Sequence, residues 1–241
     1  GDASMVPQDS RFEVAALGTT PPVRLAQWAL PKLARRWGAQ ALHFPDNSGP
    51  LRPGLPLVLT LHDSMWRRPL SQAVLRPTTR QRLQDAYRKW VCPRAARAAS
   101  IVLTVSEHSR RDLIACLGLD PAKVIVTPNG LDPAMAMPLP IARAAALRVA
   151  LGLRKPYVLC SGAADRRKNI DRLIWAFARA RKGPLARAEL VICSLREGEL
   201  ETTGYAHSAR QAGVSDAIRV LGYVDDEQMK ALYQGALVYA F

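Results

Sequence analysis

The sequence predicts an α/β protein built on parallel, doubly wound sheets. Three observations predict it: short apolar runs, stretches of helical periodicity between them, and a regular alternation of the two. The runs Leu55–Leu61, Ile101–Val105, Lys123–Val126, Tyr157–Cys160, Leu190–Cys193 and Arg219–Val224 have the length and apolar content of buried strands. Between them, Arg80–Ala99 reads as a long basic helix. Ser109 and Asp112 have capping-box spacing for a helix that stops at Gly118. Asn169 is placed to cap a helix whose apolar face is Ile170, Leu173, Ile174, Phe177 and Ala178, stopped by Gly183 and Pro184. Asp225 or Asp226 caps a further helix carrying Leu232 and Tyr233.

Leu131–Ile141 holds three prolines and no helical period, which places a boundary near residue 140. Two domains are expected, 1–140 and 141–241. Both chain ends read as cut. The start shows no obvious first strand with a Gly-rich turn, and the apolar strand pattern Leu237–Phe241 stops with nothing after it to cover its faces.

The composition supports two medium domains: 241 residues, 49% apolar and 22% charged. No stretch reaches the roughly 18–20 uncharged apolar residues of a spanning helix, and Gly1–Met5 lacks the charged-then-apolar order of a signal peptide. Cys92, Cys116, Cys160 and Cys193 are widely spaced, as small buried hydrophobes of a reducing compartment would be. His43, His62, His108 and His207 show no ligand spacing, and no D-x-D occurs, so no metal and no other cofactor is expected.

Charge is unevenly placed. The net charge is +14, yet residues 195–241 carry four basic side chains against seven acidic ones. The excess on the rest of the chain attracts phosphates, anionic lipid headgroups or nucleic acid. Aromatics make up only 6%, with no alternation of basic and aromatic residues to stack bases, which argues against nucleic acid. A basic face toward an anionic substrate or membrane surface fits better.

Several strand ends carry candidate chemistry. Tyr157–Gly162 is a strand ending in glycine, and the loop after it brings Arg166, Arg167 and Lys168 to the head of the Asn169 helix. Free backbone N–H groups, the positive end of the helix dipole and adjacent cations make an anion site, and a diphosphate is its natural guest. A solvated basic helix start explains the same residues. His62 and Asp63 follow the strand LVLTL, where the imidazole either is structural or donates a hydrogen bond into a cleft. Ser106 and Ser109 open the next helix, and capping alone accounts for them. Pro128, Asn129 and Gly130 form a turn by composition, since Asn and Gly tolerate positive φ. Gly222 ends a strand, either letting backbone approach a flat ring or forming a plain tight turn.

In this order the motifs resemble one family. H-D after a strand, T-V-S-E-x-S-R-R-D-L, V-x-P-N-G-x-D, G-x-x-x-x-R-K-N-I-x-R-L and L-G-Y-V-x-D-x-x-x-x-x-L-Y are similar to the group 1, or family 4, retaining glycosyltransferases. The likeness runs from about Leu55 to Phe241 and is greatest to a bacterial mannosyltransferase-like branch that makes surface polysaccharides. The resemblance implies a GT-B architecture, two Rossmann-like domains facing a cleft, with the nucleotide sugar held mainly by the second.

Carried over by that resemblance, Arg167 and Lys168 match the basic pair that binds the donor diphosphate, and Gly162 the glycine bordering the phosphates. His62 matches the cleft histidine near the transferring sugar, so His62, Arg167 and Lys168 are the catalytic candidates. Gly222, Tyr223 and Val224 match the segment beside the nucleotide base; Asp63, Ser106, Asn129 and Gly130 shape the cleft. Ala163 departs from the polar or basic residue common in relatives, and the paired glutamates of the family would fall beyond Phe241.

The resulting expectation is a cytoplasmic, metal-independent hexosyltransferase, peripheral at the inner membrane face. It would move mannose from GDP-mannose to a lipid-linked or polysaccharide acceptor with retention. The competing expectation is an inactive remnant that binds only nucleotide or an anionic membrane.

Overall fold

The computed structural model describes residues 13, 21–72, 77–162, 166–196 and 198–241; Gly1–Met5 and Ala163–Asp165, read above, lie outside them. The described residues fall into two compact units, one from Gly1–Arg67 with Leu83–Asn129, the other from Arg68–Arg82 with Gly130–Phe241.

The first unit holds β1 (Leu42–Phe44), β2 (Leu57–Thr60), β3 (Ile101–Thr104) and β4 (Val124–Val126), hydrogen-bonded in that order and all parallel. β1 is the strand that no apolar run announces. Leu42 and Phe44 turn inward, while His43 faces out and bonds Thr60 Oγ1 at 2.9 Å. Three alternating residues are too few for periodicity to reveal. Ahead of β1 run α1 (Pro22–Arg24), a π turn (Leu25–Ala29) and α2 (Leu30–Arg36). Pro31 has no N–H for the carbonyl four residues back, which accounts for the widened turn.

α3 (Thr79–Ala98) buries Val91, Cys92, Ala95 and Ala96 against Leu57, Leu59 and Leu61. α4 (Glu107–Leu117) begins earlier than the Ser109–Asp112 spacing suggests. Its cap is Ser106, whose Oγ accepts the Ser109 N–H at 3.1 Å, and Asp112 instead accepts from Ser64 Oγ. A β-region backbone at Ser106 aims its hydroxyl at the free N–H groups, the geometry a cap requires. The stop is the one expected, Gly118 at φ 63°.

The second unit contains β5 (Tyr157–Ser161), β6 (Glu189–Cys193), β7 (Ile218–Val220) and β8 (Val238–Ala240), parallel in the order β7-β6-β5-β8. Alternate residues feed two cores. Val158, Cys160, Leu190 and Ile192 pack with Ile170, Ile174 and Phe177 of α7 (Ile170–Ala180) and with α9 (Tyr205–Gln211). Leu159, Val191 and Cys193 pack with Leu232 of α10 (Asp226–Gly235). Helices on both faces explain why β6 is buried throughout its length, as a central parallel strand must be. The unit also includes α5 (Pro133–Ala136), α6 (Ile141–Ala150) and α8 (Glu199–Thr202).

Leu131–Ile141 proves partly ordered. Asp132 caps α5, Lys230 Nζ donates to Ala134 O at 2.7 Å, and Leu139 exchanges hydrogen bonds with Gln234. These bonds attach the proline-rich stretch to α10, within the unit that holds Gly130–Phe241. Asp225 caps α10 in a full capping box with Gln228. β7 stops at Val220, short of the predicted Val224, because Val224 turns into the core beside Leu232.

Candidate functional site

Strand order locates the first candidate site. β6 and β7 extend from one side of β5 and β8 lies on the other, so the order reverses between β5 and β8. Open α/β sheets bind ligands at such a switch point, beyond the carboxyl ends of the strands. Ser161 and Gly162 leave β5 there, and Phe241 follows β8. Ser161 Oγ and Tyr239 Oη lie 2.5 Å apart across the strand pair, and Lys168 Nζ stands over the Phe241 ring.

The basic loop ends in a 3-10 turn, Arg166–Lys168, just before α7. Asn169 occupies the cap position but does not cap through its side chain. At φ 52° and ψ 38° it is left-handed, which swings the amide away from the helix's free N–H groups. Those groups are therefore not occupied by the Asn169 side chain, which favours an anion there. Lys168 is half-buried, with its stem against Gly162; a β-carbon at Gly162 would fall 2.8 Å from Lys168 Cγ. Glycine is required by this close approach, not by a positive φ. Arg167 is exposed beside it, and Ala163 lies outside the described residues.

At the edge of the same sheet, Ser194 N donates to Gly222 O at 3.2 Å, joining the ends of β6 and β7. Between them opens a cavity of about 360 Å³, lined among others by Leu195, Arg196, Glu201, Val220 and Gly222. Tyr223 is 93% exposed, whereas the Val224 side chain is buried in the core, so only its backbone faces outward chemistry. The β6 end is a site feature missed at the sequence level. Its signal was a strand followed by a polar loop with glycine, and the structure adds Ser194 at φ 69°, a conformation that non-glycine residues rarely adopt.

In the first unit the candidates converge on one sheet edge. His62 and Asp63 follow β2, Ser106 follows β3 and Asn129 follows β4, three adjacent strands of parallel direction, while Gly130 belongs to the second unit. His62 Nε2 meets Pro45 O at 3.1 Å, and the His62 N–H donates to Asn47 Oδ1 at 2.9 Å. A carbonyl only accepts, so Nε2 is the donor in this contact. Asp63 Oδ1 accepts the Met65 N–H at 2.9 Å and holds a 3-10 turn, Met65–Arg67. Ser106 is engaged in its cap. Neither Asn129 nor Gly130 takes up the left-handed conformation that their composition suggested. Among the described residues, no cluster of three or more His, Cys, Asp or Glu could hold a metal.

Two units, each a parallel sheet with helices packed on it, are the parts of a GT-B fold. The sequence profile of Glycosyltransferase Family 4 matches residues 7–135, and that of Glycosyl transferases group 1 matches residues 146–241. The chain belongs to glycosyltransferase family 4.

Solved structures agree on the fold. Sucrose-phosphate synthase from Thermosynechococcus elongatus superposes with a TM-score of 0.60 at 18% identity, over 88% of this chain and 52% of that one. HepE from Anabaena, in complex with UDP, gives 0.58 at 19%, over 88% and 54%. WaaG, a glycosyltransferase involved in lipopolysaccharide biosynthesis, gives 0.60 at 18%, over 87% and 55%. The chain thus spans about half the length of these structures. A search of curated protein sequences gave no match.

Proposed function

We propose that the protein transfers a hexose from a nucleotide sugar to a lipid-linked or polysaccharide acceptor, with retention and without a metal. The observation that carries this reading is the Gly162, Arg167 and Lys168 constellation at the β5–β8 switch point. Breaking the sugar–phosphate bond puts negative charge on the departing diphosphate and oxocarbenium character on the sugar. Arg167 and Lys168 stabilise that charge, each well-placed donor contributing roughly 3–4 kcal/mol by analogy with oxyanion holes. The cavity beside Gly222 receives the nucleotide base. His62 is the residue that acts on the transferring sugar in this reading, and Asp63, Ser106, Asn129 and Gly130 shape the strand-end loops.

GDP-mannose is the proposed donor, from the mannosyltransferase-like motifs; HepE has been solved with UDP-glucose, which makes UDP-glucose its main rival. The experiment is a donor panel, GDP-mannose, UDP-glucose and ADP-glucose, scored for hydrolysis and for transfer. Turnover of one donor supports the reading and names the sugar. Tight nucleotide binding with no turnover of any donor replaces it with a non-catalytic binding role.

A further inference from the structure

A second cavity, of about 300 Å³, lies within the first unit, lined by α3, the end of α4 and the 3-10 turn Met65–Arg67. At about 1.5 Å per residue, the last turn of α4 stands roughly 15 Å along the helix from the Ser106 cap. The cavity is therefore separate from the strand-end candidates.

Its walls follow from the sequence. Lys89, Pro93 and Arg97 recur every four residues and share one face of α3. The turn opposite is fastened to α4 at both ends, because Ser64 Oγ donates to Asp112 and Arg67 Nη1 donates to Cys116 O. Trp66 Nε1 donates back to Asp63 O at 3.1 Å, which fixes the indole. Trp66 and Leu117 are buried and form the apolar part of the lining.

Arg67, Lys89 and Arg97 supply the charge, and among the described residues no acidic side chain lines the cavity. A helix end accounts for part of this. Arg67 and Arg97 each give one N–H to the last carbonyls of α4, Arg97 Nη2 reaching Leu117 O at 3.5 Å. That end carries only about half a negative charge. The nearest acid on α3, Asp85, pairs with Lys89 at 2.7 Å. Three cations against one carboxylate and a helix end leave a surplus of roughly one and a half charges. Each guanidinium carries five N–H donors, so most of them stay available.

We infer that this cavity binds a small phosphate monoester. The phosphate oxygens take the Arg67, Arg97 and Lys89 donors, and the organic part covers Trp66, Pro93 and Leu117. Bare phosphate would leave that apolar lining uncovered and should bind less tightly. The site is distinct from the donor residues and does not depend on the transferase reading.

Calorimetry on the whole chain measures binding, and alkylation of Cys116 by iodoacetamide, a neutral reagent, locates it. Cys116 lines the cavity and is half-buried, whereas the other three thiols are buried. The probe is glucose 1-phosphate, with glycerol 3-phosphate, inorganic phosphate and glucose as further arms, all at matched ionic strength. At saturation the ester is expected to slow alkylation at least fivefold, phosphate to act more weakly and glucose to do nothing. Protection by either ester supports the inference, and their ranking tells a sugar phosphate from a lipid headgroup. Lys89→Gln leaves both α4 carbonyl contacts in place and should weaken binding about tenfold. Arg67→Gln with Arg97→Gln should abolish it; if circular dichroism shows that pair unfolded, Lys89→Gln decides. Protection should persist in Lys168→Ala. An unchanged alkylation rate, binding retained in the folded variants, or protection lost in Lys168→Ala overturns the inference.

Discussion

The ammonium of Lys168 lies 3.9 Å from the centre of the Phe241 ring. The two residues follow neighbouring strands, since β5 leads into the Lys168 turn and β8 into Phe241. A partly exposed cation–π contact contributes about 0.5–1 kcal/mol, less than the about 1.5–3 kcal/mol of a hydrogen bond to a charged group. On the proposed donor site, a diphosphate arriving at the turn would take the lysine from the ring.

Lys168→Ala is accordingly expected to weaken nucleotide-sugar binding about tenfold or more, an energy of one charge-assisted hydrogen bond. Calorimetric titration of wild type and variant checks it. Equal affinity would remove Lys168 from the donor site.

Gly162→Ala tests the same site without deleting a charge. Its methyl group would meet Lys168 Cγ at 2.8 Å and must displace the lysine stem. Donor affinity should fall, and the urea midpoint with it, because Lys168 Cβ and Cγ are the near end of the stem and cannot swing clear without moving the turn.

For His62→Ala the expected pattern is lost turnover with nearly normal donor binding, since the imidazole is placed in the other unit from Lys168. Wild-type kcat in that variant would return His62 to a purely structural role, holding the Pro45 carbonyl.

Tyr157 tests the packing beneath the site. Its buried hydroxyl donates to Leu232 O at 2.7 Å, and burial pushes its pKa to about 12 from 10.0. Leu232 O also accepts from Ala236 N, so Tyr157→Phe leaves no orphaned carbonyl and should cost only about 1 kcal/mol in urea unfolding. The raised folded pKa stabilises the protein below pH 10, and this contribution is lost as pH rises from 10 to about 12. The difference between wild type and Tyr157→Phe should narrow across that window.

The thiols give an independent check on burial. Cys92, Cys160 and Cys193 are buried, and desolvation raises all three, Cys92 to about 12 and Cys193 to about 11. A thiol reagent near pH 8 should titrate one group, the half-buried Cys116, in the native chain and all four after unfolding.

The sequence by itself determined the α/β class, seven of the eight described strands, the Gly118 stop, an acidic cap at Asp225 or Asp226 and the apolar face of α7, because each is written in local periodicity or in a single residue's backbone preference. β1 escaped it, three residues being too short to show a period. Tertiary structure alone decided what each polar group does. Asn169 has the chemistry of a cap but a left-handed backbone that prevents capping, and Asp112 has capping-box spacing but bonds Ser64 instead. Strand order likewise came only from the folded chain. That order puts the reversal between β5 and β8, and with it Gly162 and Lys168 beside Phe241, because pairing between strands distant in sequence leaves no local trace.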